Sequence, residues 1–154
     1  MFNRKKKREA LENKRQIASD PYTNTQTLDI LASDENADVR YDVATNINTA
    51  ASVLAVLAKD KDWGIRKAVA GNPKAKLITL DCLANDMHWL VRSEVAKNPN
   101  SRTATKLAVA QKTSTPVQVL DYMVEYEEEM ISAAAKETLE KIDSVRTRGK
   151  GEVT

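Results

Sequence analysis

The chain has 154 residues but only one cysteine, Cys82, and one histidine, His88. A lone cysteine rules out an internal disulfide framework and any multi-cysteine zinc or iron–sulfur site, which fits a reducing compartment. Aromatic residues make up 5% of the chain, and glycine and proline number four each. That poverty favours helices over a β-sandwich or barrel, whose strands are rich in aromatic and β-branched residues. No apolar run approaches the roughly 18 residues that cross a bilayer, so no membrane contact is expected. The basic start, Arg4 to Arg8, is followed by Glu9, Glu12, Asn13, Lys14 and Arg15 rather than by the apolar stretch of an export signal, so a cytoplasmic location is expected. No glycine-rich phosphate loop, nucleophile elbow or metal-ligand spacing occurs, and neither enzymatic activity, a small-molecule substrate, a cofactor nor a metal is expected.

Alanine, leucine, valine, lysine, glutamate and aspartate dominate, so the expected class is all-α. The net charge of +2 conceals a strong polarity. Residues 1–15 carry +5, residues 16–112 carry +1, and residues 113–154 carry −4.

A period of 26 residues organises the chain. Leu28, Leu31, Ala32, Asp34, Val39, Arg40, Val43, Ala44 and Asn46 recur as Leu54, Leu57, Ala58, Asp60, Ile65, Arg66, Val69, Ala70 and Asn72. They recur again as Leu80, Leu83, Ala84, Asp86, Val91, Arg92, Val95, Ala96 and Asn98. The spacing of Leu54 and Leu57, and of Ile65 and Val69, gives one apolar stripe per helix. Each unit therefore reads as two helices, broken at Lys59 to Asp62 and ended at Asn72 and Asn98 by the prolines that follow. Asp60 or Asp62 is expected to cap the second helix, and Asn48 or Thr49 the first. A helix pair cannot bury its stripe alone, so successive units must stack into one core.

The expected organisation has a basic disordered tail over 1–8 and a single repeat domain over 9–142. That domain starts with a capping helix at 9–20, continues with regular repeats over about 21–98, and ends with degenerate repeats over about 99–142. A disordered tail covers 143–154. The register slips near Ser101 to Lys112, where about one helix is missing. Beyond it, Thr115 is the expected N-cap and Pro116 the first helical residue of the last unit, in which Tyr126 replaces Asp60 and Ser132 replaces Arg66.

The pattern in Asn72, Pro73, Leu80, Leu83, Ala84, Asp86, Val91, Arg92, Val95 and Ala96 closely resembles the leucine-rich repeat variant family, a relative of HEAT-like α-solenoids. The resemblance covers residues 17 to 100 well and 101 to 140 loosely. It implies a short right-handed α-solenoid, here of about five 26-residue helix-turn-helix repeats with terminal capping helices, in which one helix of each pair can be short. One family member binds an iron–sulfur cluster through a cysteine group; Cys82 alone does not supply one.

Four groups of residues are candidates for function. Asp34, Arg40, Asp60, Arg66, Asp86 and Arg92 form a ladder that either grips phosphates and carboxylates or, on the reading we favour, ties turns together within or between units. Trp63 and Trp89 share one repeat position, three residues before an arginine. With Arg66, Lys67 and Arg92 they form a candidate partner-binding face, or else each ring staples one unit to the next. Arg4, Lys5, Lys6, Lys7 and Arg8 attract nucleic acid or another polyanion through charge. Glu125, Glu127, Glu128 and Glu129 are of opposite sign and permit head-to-tail association with that basic run in a second copy. His88 is expected as solvated surface and Cys82 as a half-buried inert thiol.

The expected function is a non-enzymatic adaptor, scaffold or inhibitor that docks a protein. The alternatives are a nucleic-acid binder using the basic tail and the arginine ladder, and a HEAT-like DNA glycosylase.

Overall fold

A computed structural model describes residues 2–148. Ten helices occur among the described residues, and no strand. They are α1 (Phe2–Ser19), α2 (Thr25–Leu31), α3 (Ala37–Thr45), α4 (Ala51–Leu57) and α5 (Trp63–Gly71), followed by α6 (Leu77–Leu83), α7 (Trp89–Lys97), α8 (Thr103–Ala110), α9 (Val117–Val124) and α10 (Glu129–Arg148). The all-α class is thus observed.

Within each 26-residue unit the first helix is the seven-residue α2, α4 or α6, and the second is the nine-residue α3, α5 or α7. The second helices pack directly on their neighbours: α3 on α1, α5 on α3, α7 on α5. Each first helix packs against the second helices on either side, and contact between successive first helices is slight at most. The leucine and valine stripes meet between the two layers. Leu28, Val39, Val43, Leu54, Val69, Leu80, Val91 and Val95 are completely buried there.

Helix starts follow side-chain chemistry in the second layer. Asn36 and Asp62 accept backbone N–H groups at the starts of α3 and α5, at 2.8 and 2.7 Å. The expected caps of the first helices are not observed. Ala50 occupies the cap of α4, while Asn48 donates to the Pro21 carbonyl and Thr49 to the Val43 carbonyl. Thr115 likewise donates back to the Val109 carbonyl, and Pro116 is the cap of α9 rather than its first residue.

The ends of the chain are more helical than the sequence suggested. α1 begins at Phe2, so the Arg4–Arg8 run, expected to be disordered, is helical. Lysine, arginine and glutamate are good helix formers, and Lys5 pairs with Glu9 one turn on at 3.9 Å. α10 runs on to Arg148, past the expected boundary at 143, since Leu139 and Ile142 continue its apolar stripe against the core and Lys141 pairs with Glu137 at 2.7 Å. Of the expected C-terminal tail, residues 149–154 lie outside the described residues.

At the register slip, residues 98–102 join α7 to α8, and α8 packs straight onto α7 and then onto α10. α9 packs on α10. α8 thus packs on both α7 and α10, while Arg102 and Thr105 at its start donate to Asp81 of α6.

Candidate functional site

The layer of second helices positions the residues singled out above. Arg40 leaves α3 and points along the seam toward the next unit. Its Nε and Nη2 donate to the two oxygens of Asp60 at 2.7 and 3.2 Å, and its Nη1 donates to the carbonyls of Asp34 and Glu35. Arg66 repeats this with Asp86, at 2.6 and 3.1 Å, and with the Asp60 and Lys61 carbonyls. Each arginine thus holds the backbone of its own turn and the carboxylate of the next. The first rung is made differently, by Lys14 of α1 on Asp34 at 2.6 Å, and Arg15 pairs with Asp42 at 2.8 Å.

Electrostatics follow this geometry. Burial pushes the Asp60 and Asp86 carboxyls up, but hydrogen bonds from Arg40 and Arg66 and from the backbone N–H groups of Asp62 and His88 outweigh it, and both end below the ordinary carboxylate range. Arg92 departs from its fellows. Its Nη1 donates to the Asp86 and Met87 carbonyls and its Nη2 to Ser114, yet its buried Nε has no acceptor among the described residues. Burial holds this guanidinium below its usual value.

A second ladder runs beside the first. Asn46 Nδ2 donates to the Ala18 and Asp20 carbonyls, Asn72 to those of Ala44 and Asn46, and Asn98 to those of Ala70 and Asn72. Each Oδ1 accepts the N–H two residues on. The next carbonyl in the series, that of Ala96, takes the Tyr126 hydroxyl instead.

The tryptophans stand at the surface of this layer, each 42% exposed. Trp63 lies flat on His88 of the following unit, ring centroids 4.0 Å apart and planes 3° from parallel. His88 is therefore not simple solvated surface: its Nδ1 accepts the Leu90 N–H at 3.3 Å and caps α7. The Trp89 ring has that of His88, from its own unit, at 6.5 Å and 14° from parallel.

Of the residues expected to meet a partner, Trp63 and Trp89 are at the surface, Lys67 is half-buried, and Arg66 and Arg92 are turned into the seam. A shallow groove of about 250 Å³ opens beside Lys67, lined also by Tyr41, Gly71 and Glu94. Arg4, Lys5, Lys6, Lys7 and Arg8 are exposed along α1, far in sequence from the exposed Glu125, Glu127, Glu128 and Glu129. Cys82 is exposed on α6 rather than half-buried.

No known family model and no curated protein matches this chain. Its site must be read from its own geometry. Among the described residues, no group of three or more histidine, cysteine, aspartate or glutamate side chains is placed to hold a metal ion, and no helix is long and apolar enough to cross a membrane. The second helices carry half-exposed indoles beside a row of paired charges.

Proposed function

We propose that this chain is a non-enzymatic protein-interaction module, a short right-handed α-solenoid of about five units akin to the leucine-rich repeat variant family. It docks a partner protein on the layer of second helices. Two observations support the architecture. Every rung of the arginine ladder and of the asparagine ladder joins one unit to the next, and the second helices touch each other where the first helices scarcely do. The layer whose neighbours lie closer is the inside of the curve, so the concave face carries Trp63, Lys67 and Trp89.

The observation that carries the function is the pair of tryptophans at one repeat position. A rigid helix layer holds them half-exposed, and large aromatic side chains of this kind supply most interface energy. The nucleic-acid alternative keeps only the basic run of α1, because Arg40 and Arg66 have their guanidinium groups committed to aspartates of the next unit and Arg92 alone is too few for a phosphate row.

The test is capture at high salt with the wild-type chain and with Trp63→Ala/Trp89→Ala, the retained proteins compared by mass spectrometry. A partner held by the wild type and lost by the double variant supports the reading. Identical retention by both removes the tryptophan face from it, and nucleic acid released by salt transfers the function to α1.

A further inference from the structure

The α3–α5 joint is held by Arg40 on Asp60, with Ala37 and Asp62 at the places of a ring pair, whereas the α5–α7 joint adds a ring contact and so has two halves. At the α5–α7 joint the earlier unit offers Arg66 and, three residues before it, Trp63. The later unit answers with the Asp86 carboxylate, which takes Nε and Nη2 of Arg66, and with the His88 ring, which lies on Trp63. Asp86 and His88 belong to one tight turn, held by the His88 N–H donating to Asp86 at 2.8 Å.

The edge of α7 offers the same pair, Arg92 and Trp89, and receives neither answer from the described residues. Twenty-six residues after Asp86 stands Lys112, and 26 after His88 stands Ser114. Because α8 docks straight onto α7, the turn between a first and a second helix, which carried the aspartate in every earlier unit, does not occur here. Arg92 is 2% exposed, and its Nε has no acceptor among the described residues. The Ser114 carbonyl and hydroxyl, both neutral, take its Nη2 at 2.5 and 3.3 Å. Trp89 is stacked only from its own unit's side and is otherwise open. A buried guanidinium short of a carboxylate is costly, and charge-assisted pairing at that nitrogen relieves the cost.

We propose that the Trp89–Arg92 edge of α7 docks a partner segment carrying an aspartate or glutamate two residues before an imidazole or aromatic ring, the carboxylate pairing with Arg92 and the ring stacking on Trp89. The segment displaces the Ser114 turn and reproduces the answering half of a joint. This inference rests on the protein-docking reading and names the partner's chemistry.

The test uses the full chain, ¹⁵N-labelled, titrated with a blocked hexapeptide of sequence LANDMH, the chain's own residues 83–88. The expected result is a saturable shift of the Arg92 Nε–H resonance and of the Trp89 indole N–H. Replacing the peptide's aspartate with asparagine should weaken binding by about tenfold or more. Trp89→Ala, checked for an unchanged fold by its backbone amide spectrum, should weaken it by roughly fivefold. An unmoved Nε–H at millimolar peptide, or equal binding of the asparagine peptide, overturns the proposal. Peptide failure alongside tryptophan-dependent capture of a protein would sink this site alone; peptide binding without any such capture would leave the site and sink the broader face.

Discussion

Arg66 grips the Asp86 carboxylate with two parallel hydrogen bonds, although the two residues are 20 apart in sequence and belong to different units. The side chains are 13% and 7% exposed, so the pair sits almost out of water. Breaking such a pair leaves a desolvated charge unmatched, which costs more than the pair's net contribution. Asp86→Ala should therefore destabilise the chain by about 3–5 kcal/mol, read as a fall in the urea midpoint. Lys141→Ala should change the midpoint little, because Lys141 and its partner Glu137 are both largely exposed. Equal effects of the two changes would mean that the inner rungs do not hold the units together.

The same rungs predict an acid limb. Asp60 and Asp86 have folded pKa values below the ordinary range. Their contribution is complete above the unfolded carboxylate value of about 4 and is lost as pH falls through the lower folded values. Thermal stability should be flat with respect to these groups from neutral pH down to roughly pH 5, then fall steeply. The double variant Asp60→Asn/Asp86→Asn should start lower and show a shallower limb. A limb of unchanged steepness in a folded double variant would assign it to other carboxylates.

The period of 26 made the helix pairs legible, because a stripe that recurs in register can be buried only by its own neighbours. The destination of each arginine was not legible. Asp34 lies six residues before Arg40 and Asp60 twenty after it, and since the two aspartates are equivalent by repetition, spacing cannot say which one is gripped. In the structure the near one supplies its carbonyl and the far one its carboxylate. His88 looked solvated because a solitary histidine matches no metal spacing. Its position, equivalent to the caps Asn36 and Asp62, was the available clue. The helical start of α1 was hidden for a different reason: a run of like charge reads as repulsive, and pairing with Glu9 and the general helix preference of lysine and arginine are weak signals in a single sequence.

The asparagine row carries its own prediction. Asn72 is 3% exposed and its carboxamide serves three backbone groups: the Ala44 and Asn46 carbonyls and the Lys74 N–H. Asn72→Ala removes all three bonds and strands buried carbonyls, for which about 2 kcal/mol or more is expected. Asn72→Asp restores the acceptor but not the donors and should be no better. Urea unfolding with an unchanged slope would place the loss in the native state. A variant as stable as the wild type would show that solvent replaces the side chain at these carbonyls.

The stack of Trp63 on His88 separates stapling from docking by energy. Both rings belong to consecutive units and lie parallel at 4.0 Å, a geometry that contributes beyond the area it buries. Trp63→Ala, His88→Ala and the double variant form a cycle, in which His88 also caps α7 through Leu90. The capping loss occurs in both arms that lack His88 and cancels in the coupling term. A coupling of roughly 0.5–1.5 kcal/mol is expected, alongside a change in Trp63 fluorescence when His88 alone is removed. With that coupling present, Trp63 serves the joint and the partner at once, and its substitution should lower both stability and capture, whereas Trp89→Ala, with no ring of a following unit on it, should lower capture alone. Zero coupling would mean that the two rings merely lie side by side.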